Sequence, residues 1–359
     1  YTGTGLGTLR VEGGSVVSNT EAYIGYGQTS GFPGFPSTGI ATVTGSGSRW
    51  NSRGDIVVGR LGSGTLNLED GGVVNNGTGI LATDSGLTGT ATVTGSGSQW
   101  NNREELFVGL GGTGTLSLEA GGVVNNTNAY IGLEAFSKGT ATVTGSGSVW
   151  NNSGSLYVGI AVGVSGGGTL TMADGGLVDV TGTTKLWSSG TLTLNGGSLT
   201  TGSLDNTAGG AFVFTTGTLG ITDASQALTT GASNFSLTNG TTFNTEGDTT
   251  TLATDQNLEI AGSSVIGSGG SLALDGGSLT TGSLDNDGTL SIKSGGTLTV
   301  DGLASGGGAG EIIQTAMDSV VRFLGGGSMA NDMSVFGYSF GDDFTSSGAF
   351  TMMHEDSSV

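Results

Sequence analysis

Apolar residues alternate with Thr, Ser and other polar residues in short stretches along the first half of this chain, as in Thr90-Ala-Thr-Val-Thr94 and Thr115-Leu-Ser-Leu-Glu119. Period-two alternation sends successive side chains to opposite faces, so each stretch reads as a short β-strand with one face buried. The stretches follow a fixed order. Gly89-Thr-Ala-Thr-Val-Thr94, then Trp100-Asn-Asn102, then Leu106-Phe-Val-Gly109 gives three strands. Gly114-Thr-Leu-Ser-Leu-Glu119, then Val124-Asn-Asn126, then Tyr130-Ile-Gly132 gives three more of the same kind. Glycines punctuate the strands and read as turns.

Two such sets make a repeat. The segment Gly39 to Asn51 recurs as Gly89 to Asn101 and as Gly139 to Asn151, a period of 50 residues marked by Trp50, Trp100 and Trp150. Three short strands per coil with Gly at the turns predict an all-β fold, a parallel β-helix (β-solenoid) of roughly triangular coils of about 20–25 residues. Each coil then pairs with its neighbours at about 4.8 Å per layer. Two stretches exceed the period, Gln28 to Thr38 with Pro33 and Pro36, and Ala161 to Gly167. Both fall between strands, where a coil tolerates an insertion.

The pattern changes along the chain. Residues 1–189 carry the 50-residue double coil with its Trp-Asn mark. Residues 190–310 continue as a solenoid of shorter, divergent coils, in which Leu192 to Asn206 returns as Leu272 to Asn286. Residues 311–359 are less periodic and read as a solenoid end or assembly segment. Within them, Glu311 to Leu324 has a helical composition, but Val320-Val-Arg-Phe323 between Gly clusters favours strands.

Composition narrows the class. Gly is 75 of 359 residues without a G-X-Y period, which excludes collagen, and 34% apolar residues in regular positions argue against disorder. Nine basic against 29 acidic residues give −20, which disfavours nucleic acid and anionic membrane surfaces as partners. There is no Cys, and no apolar run is long enough for a membrane span.

The strings Thr-Gly-Ser-Gly-Ser-x-Trp-Asn, x-Val-Gly and Gly-Thr-Leu-x-x-x-x-Gly-Gly-x-Val, between Gly7 and Val180, resemble the repeat shared by type V autotransporter passengers and PEP-CTERM surface proteins. That resemblance implies export from a Gram-negative cell to its surface or surroundings, as a β-helical stalk or surface layer. It brings no catalytic residue to this chain, and the sequence carries neither an outer-membrane barrel nor a PEP-CTERM tail.

Candidate sites read mostly as structure. An exposed Trp column would stack on sugars, but a shared column with Val74 and Val124 makes Trp50, Trp100 and Trp150 inward core residues. Asn51, Asn75, Asn101, Asn125 and Asn151 recur once per coil and suit a hydrogen-bonded ladder along the axis. Arg53 and Arg103 match each other but meet Ser153 in the third copy, as a solvated corner does. His354 is the sole histidine and there is no Cys, so zinc sites and His-based triads are close to excluded. Asp70, Glu119, Asp174, Asp205, Asp275 and Asp285 lie singly at turns, and Asp342-Asp343 is the one adjacent pair. Calcium is the only cofactor the composition leaves open, since oxygen ligands are plentiful, but the Gly-Gly-x-Gly-x-Asp roll motif is not repeated. No catalytic, cofactor-binding or metal site is expected.

No cap is evident at either end: Tyr1 to Leu9 resembles Leu110 to Leu116 in mid-repeat. The expectation is an extracellular structural protein and not an enzyme, a subunit that pairs with itself head-to-tail in a surface or biofilm-matrix filament. The alternative is a monomeric autotransporter-like stalk or adhesin that meets a surface or glycan through corner loops such as Gln28 to Thr38. A polysaccharide-acting β-helix enzyme using paired carboxylates ranks third.

Overall fold

A computed structural model describes residues 5–27, 37–160, 166–206, 208 and 210–221. Beyond those it describes 229–230, 234–237, 241–244, 249–253, 257–266, 271–302, 304–305, 311–315, 319–325, 327–329, 332–335, 338–340, 344–346 and 350–353. Side chains are described to Val213 and, after that, at Ser264, Ile266 and most of 272–325. The chain forms two compact units, residues 1–199 with 208–213, and residues 200–207 with 214–359. Among the described residues every regular element is a strand.

In the first unit each coil contributes one strand to each of three faces. The first face stacks Leu6–Val11, Thr38–Thr44, Ser63–Glu69, Thr88–Thr94, Thr113–Glu119, Lys138–Thr144 and Gly167–Ala173. The second stacks Val16–Asn19, Arg49–Ser52, Val73–Asn76, Gln99–Asn102, Val123–Asn126 and Val149–Asn152. The third stacks Ala22–Tyr26, Ile56–Arg60, Gly79–Leu81, Leu106–Val108, Ala129–Ile131 and Leu156–Val158. All of these neighbours pair in parallel, the rest of each coil serving as the crossover a parallel pair needs. Thr88 lies beside Thr113, 25 residues on, and Thr113 beside Lys138, 25 further. Like residues therefore stand over like residues.

Alternation decides what lies inside. On the first face Ala91, Val93, Leu116, Leu118, Ala141 and Val143 are fully buried, and Leu106, Val108, Ile131, Leu156 and Val158 close the core from the third face. The Thr and Ser between them point outward. The two half-repeats differ at the first corner. Coils with Gly-Ser-Gly-Ser there alternate with coils in which a left-handed Asp70, Ala120 or Asp174 precedes glycine. The buried Ser48, Ser98 and Ser148 of the first type accept the backbone N–H of Gly14, Gly71 and Gly121 at 3.0 Å. Each Ser so satisfies an amide of the coil before it, which ties the two coil types into one 50-residue unit.

The second unit also has three strand stacks, on shorter coils: Ser278 pairs with Thr297, 19 residues on, and Ser271 with Thr289, 18 on. Corners there form inside continuous strands. Buried Thr281 donates Oγ1–H to the carbonyl of Ser283 at 2.7 Å and accepts from Ser264 Oγ at 2.9 Å. This gives the recurring Leu-Thr-Thr-Gly-Ser-Leu string its role at a bend. Glu311–Gln314 and Val320–Phe323 are strands. The last turn differs from the parallel expectation. Val320–Phe323, Gly327–Met329 and Asp332–Val335 pair antiparallel with Phe350–Met353, Phe344–Ser346 and Tyr338–Phe340. Each of these later strands thus runs back along a strand of the preceding coil.

Candidate functional site

The most regular chemistry lies along the second face. Trp50, Trp100 and Trp150 point inward, the latter two with no exposed surface. Trp100 stands beside Val74 and Val124 in neighbouring coils. The ring leaves no room opposite it: a Cβ on Gly79 would lie 2.8 Å from Trp100 and 2.4 Å from Asn102 Oδ1. Each indole Nε1–H donates at 2.7 Å to an amide oxygen one coil below, on Asn19, Asn76 and Asn126.

Two asparagine columns flank these rings. The outer one holds Asn51, Asn75, Asn101, Asn125 and Asn151, all half-buried. Asn75 donates to Asn51 at 2.8 Å, Asn101 to Asn75 at 2.9 Å, Asn125 to Asn101 and Asn151 to Asn125 at 2.7 Å. The ladder runs unbroken across five coils, all of its donors pointing toward the N-terminal side. It ends where its neighbours in register are Ser18 and Asp179.

The inner column, Asn76, Asn102, Asn126 and Asn152, did not stand out in the sequence reading. Asn76 donates to Asn102 at 2.8 Å and Asn126 to Asn152 at 2.7 Å, opposite in sense to the outer ladder. Parity was the signal: with Trp100 inward, Asn101 points out and Asn102 in. The column stops at Asn152, whose Nδ2 has no partner because Val180 takes the next place in register.

The third face carries a column on its outer side. Phe107, Tyr130 and Tyr157 stack with ring centroids 5.0 and 4.9 Å apart and planes within 10° and 6° of parallel. Coplanar rings cannot approach so closely, so these rings face one another and present edges and hydroxyls to solvent. Burial, aided by Tyr157 and Glu105, raises the Tyr130 phenol above its ordinary value. At the lower end Arg60 lies 4.8 Å from the Tyr23 ring centroid, and the Tyr23 hydroxyl donates to Glu21 at 2.8 Å, which raises its own phenol.

The other expected positions remain apart. Asp70 and Asp174 sit in left-handed turns, and Asp285 accepts from Ser305 at 3.1 Å. Glu119 closes a first-face strand, Asp275 lies 3.8 Å from Lys293 Nζ, and Asp205 pairs in register with Thr229. Arg53 is exposed, and Arg103 reaches back to donate to the carbonyls of Ser52 and Arg53. Among the described residues no three His, Cys, Asp or Glu side chains gather as a metal site would require, and no helix is long and apolar enough to cross a membrane. His354, the Asp342-Asp343 pair, residues 28–36 of the first insertion and 161–165 of the second lie outside the described residues.

No family model and no curated protein matches the chain. Among solved structures it is similar to the crystal structure of a TibC-catalysed, hyper-glycosylated TibA fragment. The identity is 18%, over 85% of this chain and 98% of that one, with a TM-score of 0.37.

Proposed function

We propose that the chain is a structural protein of the Gram-negative exterior, a β-solenoid scaffold and not an enzyme. One observation carries this reading: the most faithfully repeated polar side chains, the Asn51-to-Asn151 ladder and the Trp–Asn pairs, are spent on joining coil to coil. Residues committed to neighbours in a ladder are withdrawn from substrate chemistry. The missing Cys, the net charge of −20 and the motif resemblance support an exported chain. Protease shaving of intact cells of the source organism tests the location: release of the chain supports it, and recovery only from lysed cells rejects it.

Two finer readings fit such a scaffold: a subunit of a head-to-tail filament, since each coil presents parallel strand edges that a further coil can extend, and a stalk or adhesin that stays single, since Gln28 to Thr38 and Ala161 to Gly167 are inserted between strands. Electron micrographs across a concentration series decide: lengthening fibres support the filament, and constant short particles support the stalk.

A further inference from the structure

In the first unit, variation in coil length collects at one corner. From the second coil onward the first corner alternates between four and three residues and the second between three and two. The third corner, leading from the third face to the first, spans 27–37, 61–62, 82–87, 109–112, 132–137 and 159–166 in successive coils. Where insertions gather on one edge of a solenoid, that edge is free to vary for recognition.

Phe136 stands out on this edge. It holds a left-handed φ of 66° and is 62% exposed. Two coils earlier the same turn carries Gly86 at φ 83°, two residues before Thr88, which shares a column with Thr113 and Lys138. The turns match: Leu87 N–H donates to Asp84 O at 3.2 Å, and Ser137 N–H to Glu134 O at 3.1 Å. A bulky aromatic thus occupies a glycine's backbone conformation, at a steric cost, while its ring remains in water. Strain kept without burial points to function.

Beside the ring lies an open cleft of about 560 Å³, lined by Phe136, Lys138, Thr140, Gly167, Thr169 and Ser189. Its volume falls in the range of small-ligand sites. It combines one aromatic surface with hydroxyl groups on adjacent coils, Thr140 standing next to Thr169 in register. Lys138 is exposed and makes no ion pair with a described residue, although acids outnumber bases 29 to 9. A ligand suited to this lining has an apolar face for the ring, hydroxyls on its rim and an anionic group. A lipid would need more apolar wall, and a nucleic acid more cations.

We propose that the cleft beside Phe136 binds an acidic saccharide, with the Phe136 ring under the sugar face and Lys138 at its carboxylate. The inference relies on the exterior placement above for where such a sugar is met, but its test does not. Calorimetry on the purified chain with a disaccharide carrying a single uronic acid, and with neutral maltose for comparison, is expected to show saturable binding with preference for the uronate. Phe136→Gly is expected to abolish binding while leaving the melting temperature unchanged or higher, because glycine takes the left-handed φ without strain. Lys138→Gln is expected to weaken uronate binding about tenfold and leave neutral-sugar binding unchanged. No saturable uronate binding by the wild-type chain overturns the proposal. So does a Phe136→Gly variant that binds as before or melts lower, the mark of a structural ring. So does an unaltered preference in Lys138→Gln. None of these outcomes bears on the shaving or imaging experiments.

Discussion

Replacing Asn126 with Leu isolates the buried polar column. The side chain is 5% exposed. It accepts the Trp150 indole at 2.7 Å and donates to Asn152 Oδ1 at 2.7 Å. Leu keeps most of the volume, so the change chiefly strands an indole N–H and an amide oxygen away from water. A stranded buried group costs about 1–3 kcal/mol, giving about 2–6 kcal/mol in all. The control is Asn125→Ala one position away, which breaks two ladder bonds on the half-buried side. Water replaces those partners, and the loss is about 1 kcal/mol. Trp150→Phe combined with Asn126→Leu removes donor and acceptor together and should fall short of the summed single losses by about 1–3 kcal/mol. Stacked repeats need not unfold as one body. The assay is therefore native-state hydrogen exchange at the amides of Val123–Asn126 and Val149–Asn152, with urea unfolding beside it. Opening energies for Asn126→Leu within about 0.5 kcal/mol of those for Asn125→Ala, or strict additivity in the double variant, would refute the buried-column reasoning.

Other expectations follow from the same contacts. Ser98→Ala leaves the Gly71 N–H without its acceptor and should cost about 1–2 kcal/mol in urea unfolding, whereas Thr92→Ala on the outer side of the first face should cost under about 0.5 kcal/mol. Gly89→Ala places a Cβ 2.1 Å from the Val58 carbonyl and should yield insoluble protein or a large drop in melting temperature. Gly13→Ala, with open space around it, should cost only about 1 kcal/mol through its left-handed φ. The Tyr130 phenol is raised in the folded state, so its contribution is complete below the ordinary value of 10.0 and is lost as pH climbs through the folded value. Tyr130→Phe should therefore flatten the alkaline fall in stability, read by circular dichroism in a pH series.

Much of the fold was legible because a solenoid's long-range contacts repeat its local ones. The 50-residue spacing of Trp50, Trp100 and Trp150 already implies that each shares a column with Val in the coils between. Inward and outward sides follow from period two. The candidate site was legible in part. The Asn51-to-Asn151 column was visible as a recurrence, and Asn76, Asn102, Asn126 and Asn152 were implied by the same parity. The outer stack of Phe107, Tyr130 and Tyr157 was harder to see because its residues differ in type and meet only through pairing. Phe136 carries no signal until its turn is laid over that of Gly86.

The sequence by itself determined the strands, their order in the coil and which side of each is apolar, because alternation and glycine punctuation act within a few residues. Only the tertiary structure decided the sense of the hydrogen bonds in each asparagine column, the gathering of loops at one corner and the backward winding of the final turn. Those depend on what one coil presents to the next, and no local stretch of chain contains that information.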